Sequence, residues 1–482
     1  MRRFWLVGLT ALSGCMVGPD YHRPAFSAPA AYKEAPGWTQ AQPMDAGPKD
    51  AWWTLYNDPT LDQLEPDVAV SNQTLAADYF AYQSALETVR ETQGQLFPTI
   101  GLTGSATRAG EGGGQSSGGA GTGTSTTAVS LGGSSGPRTS GTFEGSVDWT
   151  PDIWGKIRRQ IESNRAAAQA SAADLANATL SEQGLLATDY VDLRGADSEI
   201  LLLQQTVTDY QNSLQITENQ YNAGVAAQLD VITARTQLEG AQAQLINAGE
   251  ARAQYEHAIA VLVGEAPAGL SLAPGQLMVN VPDIPAAIPT TLLQRRPDIA
   301  AAERTMAEQN ALIGVAVGAY YPDLSLSAVG GYAADPIGGL FSVNNALWSL
   351  GANASATLFE GGTRYATVRA AQFTYQESVA TYRQTVLTAF QQVEDELSNL
   401  RILAEQAQTE QAAVTDAAQA VTIALNEYQA GTQAYTTVVT AQATLLGDEQ
   451  TALTVQQNRL LSSIALVQAL GGGWQTSDLP AD

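Results

Sequence analysis

The chain holds a single cysteine, Cys15, and two histidines, His22 and His257, among 482 residues. One thiol excludes an internal disulfide framework and a multi-thiolate zinc site. Neither histidine has a nucleophile partner or metal-ligand spacing around it, so no catalytic constellation is legible and neither metal nor cofactor is expected. Basic residues are also scarce, 23 Lys and Arg against 48 Asp and Glu, for a formal charge of −25. Phosphate recognition needs clustered cations, so nucleic acid is excluded as a partner. The acidity fits either a solvated surface or a field that draws cations. After Leu12 no apolar run approaches the roughly 20 residues that a membrane helix requires. Any membrane span must therefore use strands. The glycine-rich stretch from Gly110 to Gly136 has no Lys-Ser/Thr ending and reads as a loop, expected at the cell surface.

Ala, Gln, Thr and Gly abound, with only 9 Phe and 5 Met, a composition suited to long thin helices. Arg2 and Arg3 precede an apolar run from Phe4 to Leu12, the pattern of a secretory signal. Leu12-Ser13-Gly14-Cys15 then resembles a bacterial lipobox, with Cys15 as the acylated first residue of the mature chain and outer-membrane lipid as its partner. Met16 in the next position favours the outer membrane by the same resemblance.

Internal repetition is the next signal. Tyr221-Asn222-Ala223-Gly224 returns as Tyr428-Gln429-Ala430-Gly431, a shift of about 207 residues, and Arg252 returns as Arg459. An earlier block, Leu75 to Pro98, returns at a shift of about 224 as Ile299 to Pro322. The chain reads as a duplicated unit, with the extra length of its first half in the glycine-rich stretch.

Within each unit apolar residues recur every seven positions: Leu186, Leu193, Ile200, Val207, Leu214 and Tyr221 in the first, and Val379 through Tyr428 in the second. Sustained heptads predict coiled-coil packing. No proline interrupts 156–222, so one helix of about 100 Å is expected there. Gly224 and Gly431 should mark the tips of helical hairpins. A returning helix is expected over 226–263, with a helix over 61–95 stacked end to end on it.

Four segments alternate with the period of a strand. Thr142 to Trp149 and Trp348 to Leu358 do so cleanly, while Thr99 to Arg108 and Asp323 to Tyr332 pair with them as hairpins. Trp149, Tyr332 and Trp348 sit where an interfacial aromatic girdle belongs. Four strands cannot close a barrel, so several chains must share one. Two soluble hairpins capping a coiled coil are the alternative reading.

Cys15-Met16-Val17-Gly18-Pro19-Asp20-Tyr21, Asp152-Ile153-Trp154-Gly155, Arg296-Pro297-Asp298-Ile299 with Ala301-Ala302-Glu303, and Tyr321-Pro322 together resemble the TolC/OprM-like outer membrane efflux family, nearest its NodT-type lipoproteins. The resemblance implies a mixed α and β membrane protein. Four transmembrane strands per protomer would form a twelve-stranded trimeric barrel, continued by a tunnel of long antiparallel coiled-coil helices. It implies an exit duct for small molecules, a homotrimer that works with a periplasmic adaptor and an inner-membrane transporter of the RND type. On that reading 1–14 is the signal peptide and 15–57 the anchor and linker. The repeats are 58–265 and 291–471, joined by an equatorial linker over 266–290, with a tail over 472–482.

The resemblance also assigns a periplasmic gate. Asp230 would accept a hydrogen bond from Tyr428 as a latch. Gln433 stands where the family has a basic latch residue, and Thr437 and Thr440 stand where a constricting ring of Asp is found. Asp230 could equally be a solvated acid at a helix N-terminus. Ala223, Gly224, Val225, Ala430, Gly431 and Thr432 resemble the tip motifs that adaptors grip, and they also suffice to make the turns. A lipoprotein that bridges envelope layers without conducting explains the anchor and heptads but leaves the alternating hairpins without a role.

Overall fold

A computed structural model describes residues 16–25, 29, 31–34, 51–110, 137–282, 284 and 294–480. Cys15, the signal segment and most of the glycine-rich stretch lie outside the described residues. The elements follow in the order α1 (Pro59–Ser71), α2 (Gln73–Gly94), β1 (Thr99–Ala109), β2 (Arg138–Trp149), α3 (Lys156–Asn222) and α4 (Gln228–Leu262). Then come α5 (Pro297–Gly318), β3 (Asp323–Ala334), β4 (Ala346–Ser355), α6 (Thr363–Gln429) and α7 (Tyr435–Ala469). The duplication is visible in the lengths: α2 and α5 have 22 residues, α3 and α6 have 67, and α4 and α7 have 35.

The chain divides into two compact units, one of Met1–Tyr21, Glu87–Asn164 and Gln309–Tyr375, the other of His22–Leu86, Arg165–Glu308 and Gln376–Asp482. In the first, the four strands form one antiparallel sheet in sequence order. β2 begins before, and β4 ends before, the segments expected from alternation alone, because cross-strand partners set strand ends. The register aligns Ile100, Val147, Ala328 and Leu350 in one row and Leu102, Gly145, Gly330 and Trp348 in the next. Side chains of directly paired residues share a face. One face is therefore apolar except for the Arg108–Thr139 pair at its loop-side end, while the other carries Thr103, Glu144, Ser146, Ser327 and Asn353. β1 and β3, whose alternation is blurred in the sequence, gain a clear inside and outside from this register.

The same unit contains the strand-to-helix junction. Asp152 accepts hydrogen bonds from the Ile157 and Arg158 amides at 3.0 Å each, satisfying donors that a helix start leaves open. Trp154 stacks on Tyr321 with centroids 4.8 Å apart, and its indole donates to the Pro322 carbonyl at 2.9 Å. The Asp-Ile-Trp-Gly and Tyr-Pro motifs of the two repeats thus lock together.

In the second unit the helix expected over 61–95 is interrupted. Asn72 is extended, and its Oδ1 caps α2 through the Thr74 and Leu75 amides at 2.8 and 3.2 Å. Its Nδ2 donates to the Leu262 carbonyl at the end of α4, 3.1 Å away. Arg296, about 224 residues on, does the same work with a different side chain, donating to the Ala469 carbonyl at the end of α7 while Asp298 receives it at 2.6 Å. End-to-end stacking is thus realised twice. Gly264 and Gly471, at φ +75° and +94°, turn the chain out of each returning helix, and a Cβ there would strike the Ser71 and Arg295 carbonyls.

The heptad seam needs correction. Leu186 and Leu193 are buried as expected, and so are Leu203 and Tyr210, the partner positions that widen the seam, but Tyr221 is 44% exposed and Thr217 is buried instead. In α6 Val379, Val386, Val393, Leu400 and, at the far end, Tyr428 are buried on the expected heptad, while Ala417 and Ala424 are buried beside it. A helix of 3.6 residues per turn drifts against a strict repeat of seven, so the contacting stripe moves three positions on along so long a rod.

Candidate functional site

Three places carry the chemistry expected from the sequence: the segment after Cys15, the apolar face of the sheet, and the hairpin tips.

Met16 to Asp20 are clamped by Arg159 in the first turn of α3. Its Nε donates to the Val17 carbonyl at 3.1 Å and its Nη2 to Gly18 and Asp20 at 3.3 and 2.7 Å. Asn310 on α5 donates to the Pro19 carbonyl at 3.0 Å. Gly18 has φ +97°, and a Cβ on it would lie 2.4 Å from the Gly314 Cα, so two backbones meet there and only glycine fits. Arg159 went unnoticed in the sequence. The signal available was a cation at a helix N-terminus, where the macrodipole disfavours one unless acids and carbonyls surround it.

On the sheet, Trp149 closes β2 at its helix-side end and donates from Nε1 to the Leu96 carbonyl at 3.0 Å. Tyr332 and Trp348 lie at the opposite, loop-side end of β3 and β4. The three aromatics therefore mark both rims of a sheet whose strands run 10 to 12 residues. Such strands, when tilted, match the hydrocarbon thickness. Ile100, Leu102 and Leu350 are exposed on the same face.

At the tips, Gly224 and Gly431 adopt φ +75° and +71°, and a Cβ on either would meet nothing. The amides of Val225 and Thr432 return to the Gln220 and Glu427 carbonyls at 2.9 Å each, closing both helices by the same αL turn. Ala223, Gly224, Val225, Ala430, Gly431 and Thr432 are all exposed.

Below the tips the two hairpins are joined through a seam the sequence did not announce. Tyr428 and Tyr435 lie ring against ring at 5.1 Å in a cluster with Ala234, Ala424 and Val438. Gln442 on α7 donates to Ser213 on α3 at 2.8 Å, and the buried Thr217 bonds the Ser213 carbonyl at 2.8 Å. The latch expected between Asp230 and Tyr428 is not formed within the chain. The Tyr428 hydroxyl is buried and makes no hydrogen bond among the described residues. The ring packs against Tyr435 in the seam, and Asp230 is a nearby charge. Burial pushes the Tyr428 phenol up, Thr217 beside it acts the other way, and Asp230 adds to the rise. Tyr435 is pushed up to about 12, mainly by burial. Gln433, in the turn before α7, and Thr437 and Thr440 on α7 are exposed, with Thr437 donating to the Gln433 side chain at 3.4 Å and Thr440 to the Thr436 carbonyl at 3.0 Å.

No helix among the described residues is long and apolar enough to cross a membrane, and no group of His, Cys, Asp or Glu among them is placed to hold a metal. A small antiparallel sheet with one largely apolar face, in a chain that also holds helical hairpins of 67 and 35 residues, defines a class of outer-membrane protein. The family model for outer membrane efflux protein matches residues 66–265 and 288–472, and the chain belongs to that family. It is 28% identical over 466 residues to a Pseudomonas putida protein named probable efflux pump outer membrane protein TtgC, covering 96% of this chain and 93% of that one. It is 26% identical to the cation efflux system protein CusC of Escherichia coli, covering 96% and 97%. Among solved structures, the outer-membrane channel OprN superposes with a TM-score of 0.84 at 28% identity, covering 96% of this chain and all of that one. The resemblance seen in the motifs is borne out, as are the mixed fold and the outer-membrane location.

Proposed function

We propose that the chain is the exit duct of a three-part efflux pump, assembled as a homotrimer, anchored through Cys15 and engaged at its hairpin tips by a periplasmic adaptor and, through it, an RND-type inner-membrane transporter. The observation that carries this is the sheet: an apolar face, a polar face and two outer edges, on β1 and β4, that pair with no other strand among the described residues. Edges of that kind cannot stand in lipid, so copies must close the barrel with the polar face inward. Transport through a pore needs no bond making, and the chain acts as a conduit rather than an enzyme.

The duplication supports a specific packing of the copies. Within the chain α3 packs on α7, with Gln457 donating to Asp192 at 2.6 Å, Gln468 to the Leu180 carbonyl at 3.3 Å, and Ile216 and Val439 on one cluster. Moving each residue by the repeat shift of about 207 places Asn399 opposite Glu250, Leu387 opposite Val261 and Ile423 opposite Ile232. The acid and amide of the first pair are exchanged, and the four apolar residues are exposed in the single chain. The free faces of α6 and α4 are thus complementary, in the head-to-tail sense that closes rings. The domain limits read from the sequence fit the same scheme, with 58–265 and 291–471 as the two staves each copy supplies.

In planar bilayers the purified protein should conduct, and Asp230→Ala should conduct with the same open probability, since Asp230 forms no latch with Tyr428 within the chain. Silence from both proteins in a competent bilayer would favour a non-conducting bridge. Cysteines at 399 and 250 should link neighbouring chains through a short bis-maleimide, while cysteines at 192 and 457 should link only within a chain.

A further inference from the structure

The two repeats treat equivalent arginines differently. Arg252 on α4 is fully engaged: its Nε donates to Asp197 at 2.6 Å, its Nη2 to the Leu272 carbonyl at 2.7 Å, and Glu256 lies 3.4 Å away. Arg194 joins it, donating to Asp197 at 3.0 Å and to the Ala273 carbonyl at 2.7 Å, and Asp197 also receives the Gly275 amide at 2.9 Å. Together they seat an extended strip, 272–275, across α3 and α4. The shift of about 207 carries Arg252 to Arg459 and Arg194 to Arg401, but carries Asp197 to Ala404 and Glu256 to Ser463. Arg401 finds its acid elsewhere, in Glu34, at 2.9 Å. Arg459 finds none: its Nη1 donates to Gln456 at 3.0 Å, and its Nε is buried without a partner among the described residues.

Arg459 borders a groove of about 780 Å³ whose walls are α6 and α7 on one side and Leu201 of α3 with the end of the strip, Leu277 to Val279, on the other; Gln456 holds that end by donating to the Met278 and Val279 carbonyls at 3.0 and 2.9 Å, and the lining has no Asp or Glu. In a chain with 48 acidic residues, a lone cation in an acid-free groove is an outlier. After α7 the chain goes elsewhere: Leu479, which corresponds to Leu272 at the start of the strip, packs with Trp474 on Ala173, Ala300 and Ala301.

We infer that the groove between α6 and α7 is a docking seat for an extended, carboxylate-bearing peptide segment of a partner protein, with Arg459 as its anchor. The first repeat supplies the template, since its equivalent seat holds extended backbone through arginine-to-carbonyl bonds and balances the charge with carboxylates. In the second seat the helices have lost those carboxylates, so the incoming segment must bring one. A half-buried guanidinium whose Nε has no partner among the described residues gains a charge-assisted hydrogen bond from such an ion. The inference is independent of whether the duct conducts.

The test uses the full-length protein in detergent and a fluorescein-labelled peptide, Asp-Leu-Ala-Pro-Gly-Gln-Leu, which copies the seated strip 272–277 behind an added aspartate. Saturable binding is expected, at least tenfold weaker for Arg459→Gln and for a peptide with Asn in place of Asp. Ala404→Asp, which restores the first repeat's internal acid, should abolish binding and raise the unfolding temperature. Equal binding by wild type and Arg459→Gln, or an unfolding temperature unmoved by Ala404→Asp, would overturn the assignment. So would the absence of binding to the wild type. A bis-maleimide product between Arg459→Cys and a second copy would give the groove to the subunit interface instead.

Discussion

The first and second repeats have the same helix lengths and the same glycine turns, yet they hold their joints by different chemistry. At the junction of returning helix and neighbour, the first repeat uses the neutral Asn72 and the second the charged Arg296, both reaching the last carbonyls of the helix that arrives. Across the rods, the first repeat builds a closed network on Asp197, while the second gives one arginine to Glu34 and leaves the other facing a groove. Backbone geometry has been kept and side-chain chemistry has drifted. A joint constrains which atoms must be capped, whereas many donors will cap them.

That comparison predicts a graded set of losses. Arg296→Ala should cost most, about 3 kcal/mol, because it strips a carbonyl of its donor and leaves Asp298 without its bidentate partner. Asn72→Ala removes a cap and one donor and should cost about 1 to 2 kcal/mol. Thermal unfolding followed by helical circular dichroism compares the two, and equal losses would break the distinction between a charged and a neutral joint.

Next come the tips. Gly224→Ala and Gly431→Ala should each cost about 1 kcal/mol, since both glycines are at positive φ with open space around them. The two losses should match, because here the repeats share geometry and nothing else. A much larger loss at one tip would show that its glycine also makes a packing contact.

A subtler difference separates the rods. On α3, burial, reinforced by Asp192, lifts Asp189 to about 6. A carboxyl raised above its unfolded value near 3.8 stabilises the fold when protonated, so that contribution is present in acid and lost as pH rises through about 6. Asp189→Asn should therefore raise the unfolding temperature at pH 7.5, with the gap shrinking below pH 4. A gap that grows in acid would reverse the sign. Smallest of all, Tyr428→Phe should change stability by less than about 0.5 kcal/mol, because the hydroxyl it removes makes no hydrogen bond among the described residues.

Much of this architecture is legible in the chain itself. The absence of proline bounded α3 at 156–222, where the structure has it, and the paired Tyr-x-Ala-Gly segments located both tips. Period-two alternation found the strands, since one face meets lipid and the other does not. The break at Asn72 was hidden because a polar residue inside a helical pattern is unremarkable until its side chain is seen to cap the next turn. The seam at Tyr435, Thr217 and Gln442 was hidden for a related reason: heptad spacing names a stripe, and a straight rod lets that stripe wander.

Local rules thus determined, from sequence alone, which segments are helix, strand and turn, that the unit is doubled, and that no single chain closes a barrel. These depend on periodicity and on glycine and proline, which act within a few residues of themselves. Only the tertiary structure decided which carbonyl each cap serves, that Tyr428 makes no hydrogen bond to Asp230, and that Arg159 is clasped while Arg459 is not. Such facts depend on groups more than a hundred residues apart being brought within about 3 Å of one another, and hydrogen bonds fall away steeply beyond that distance.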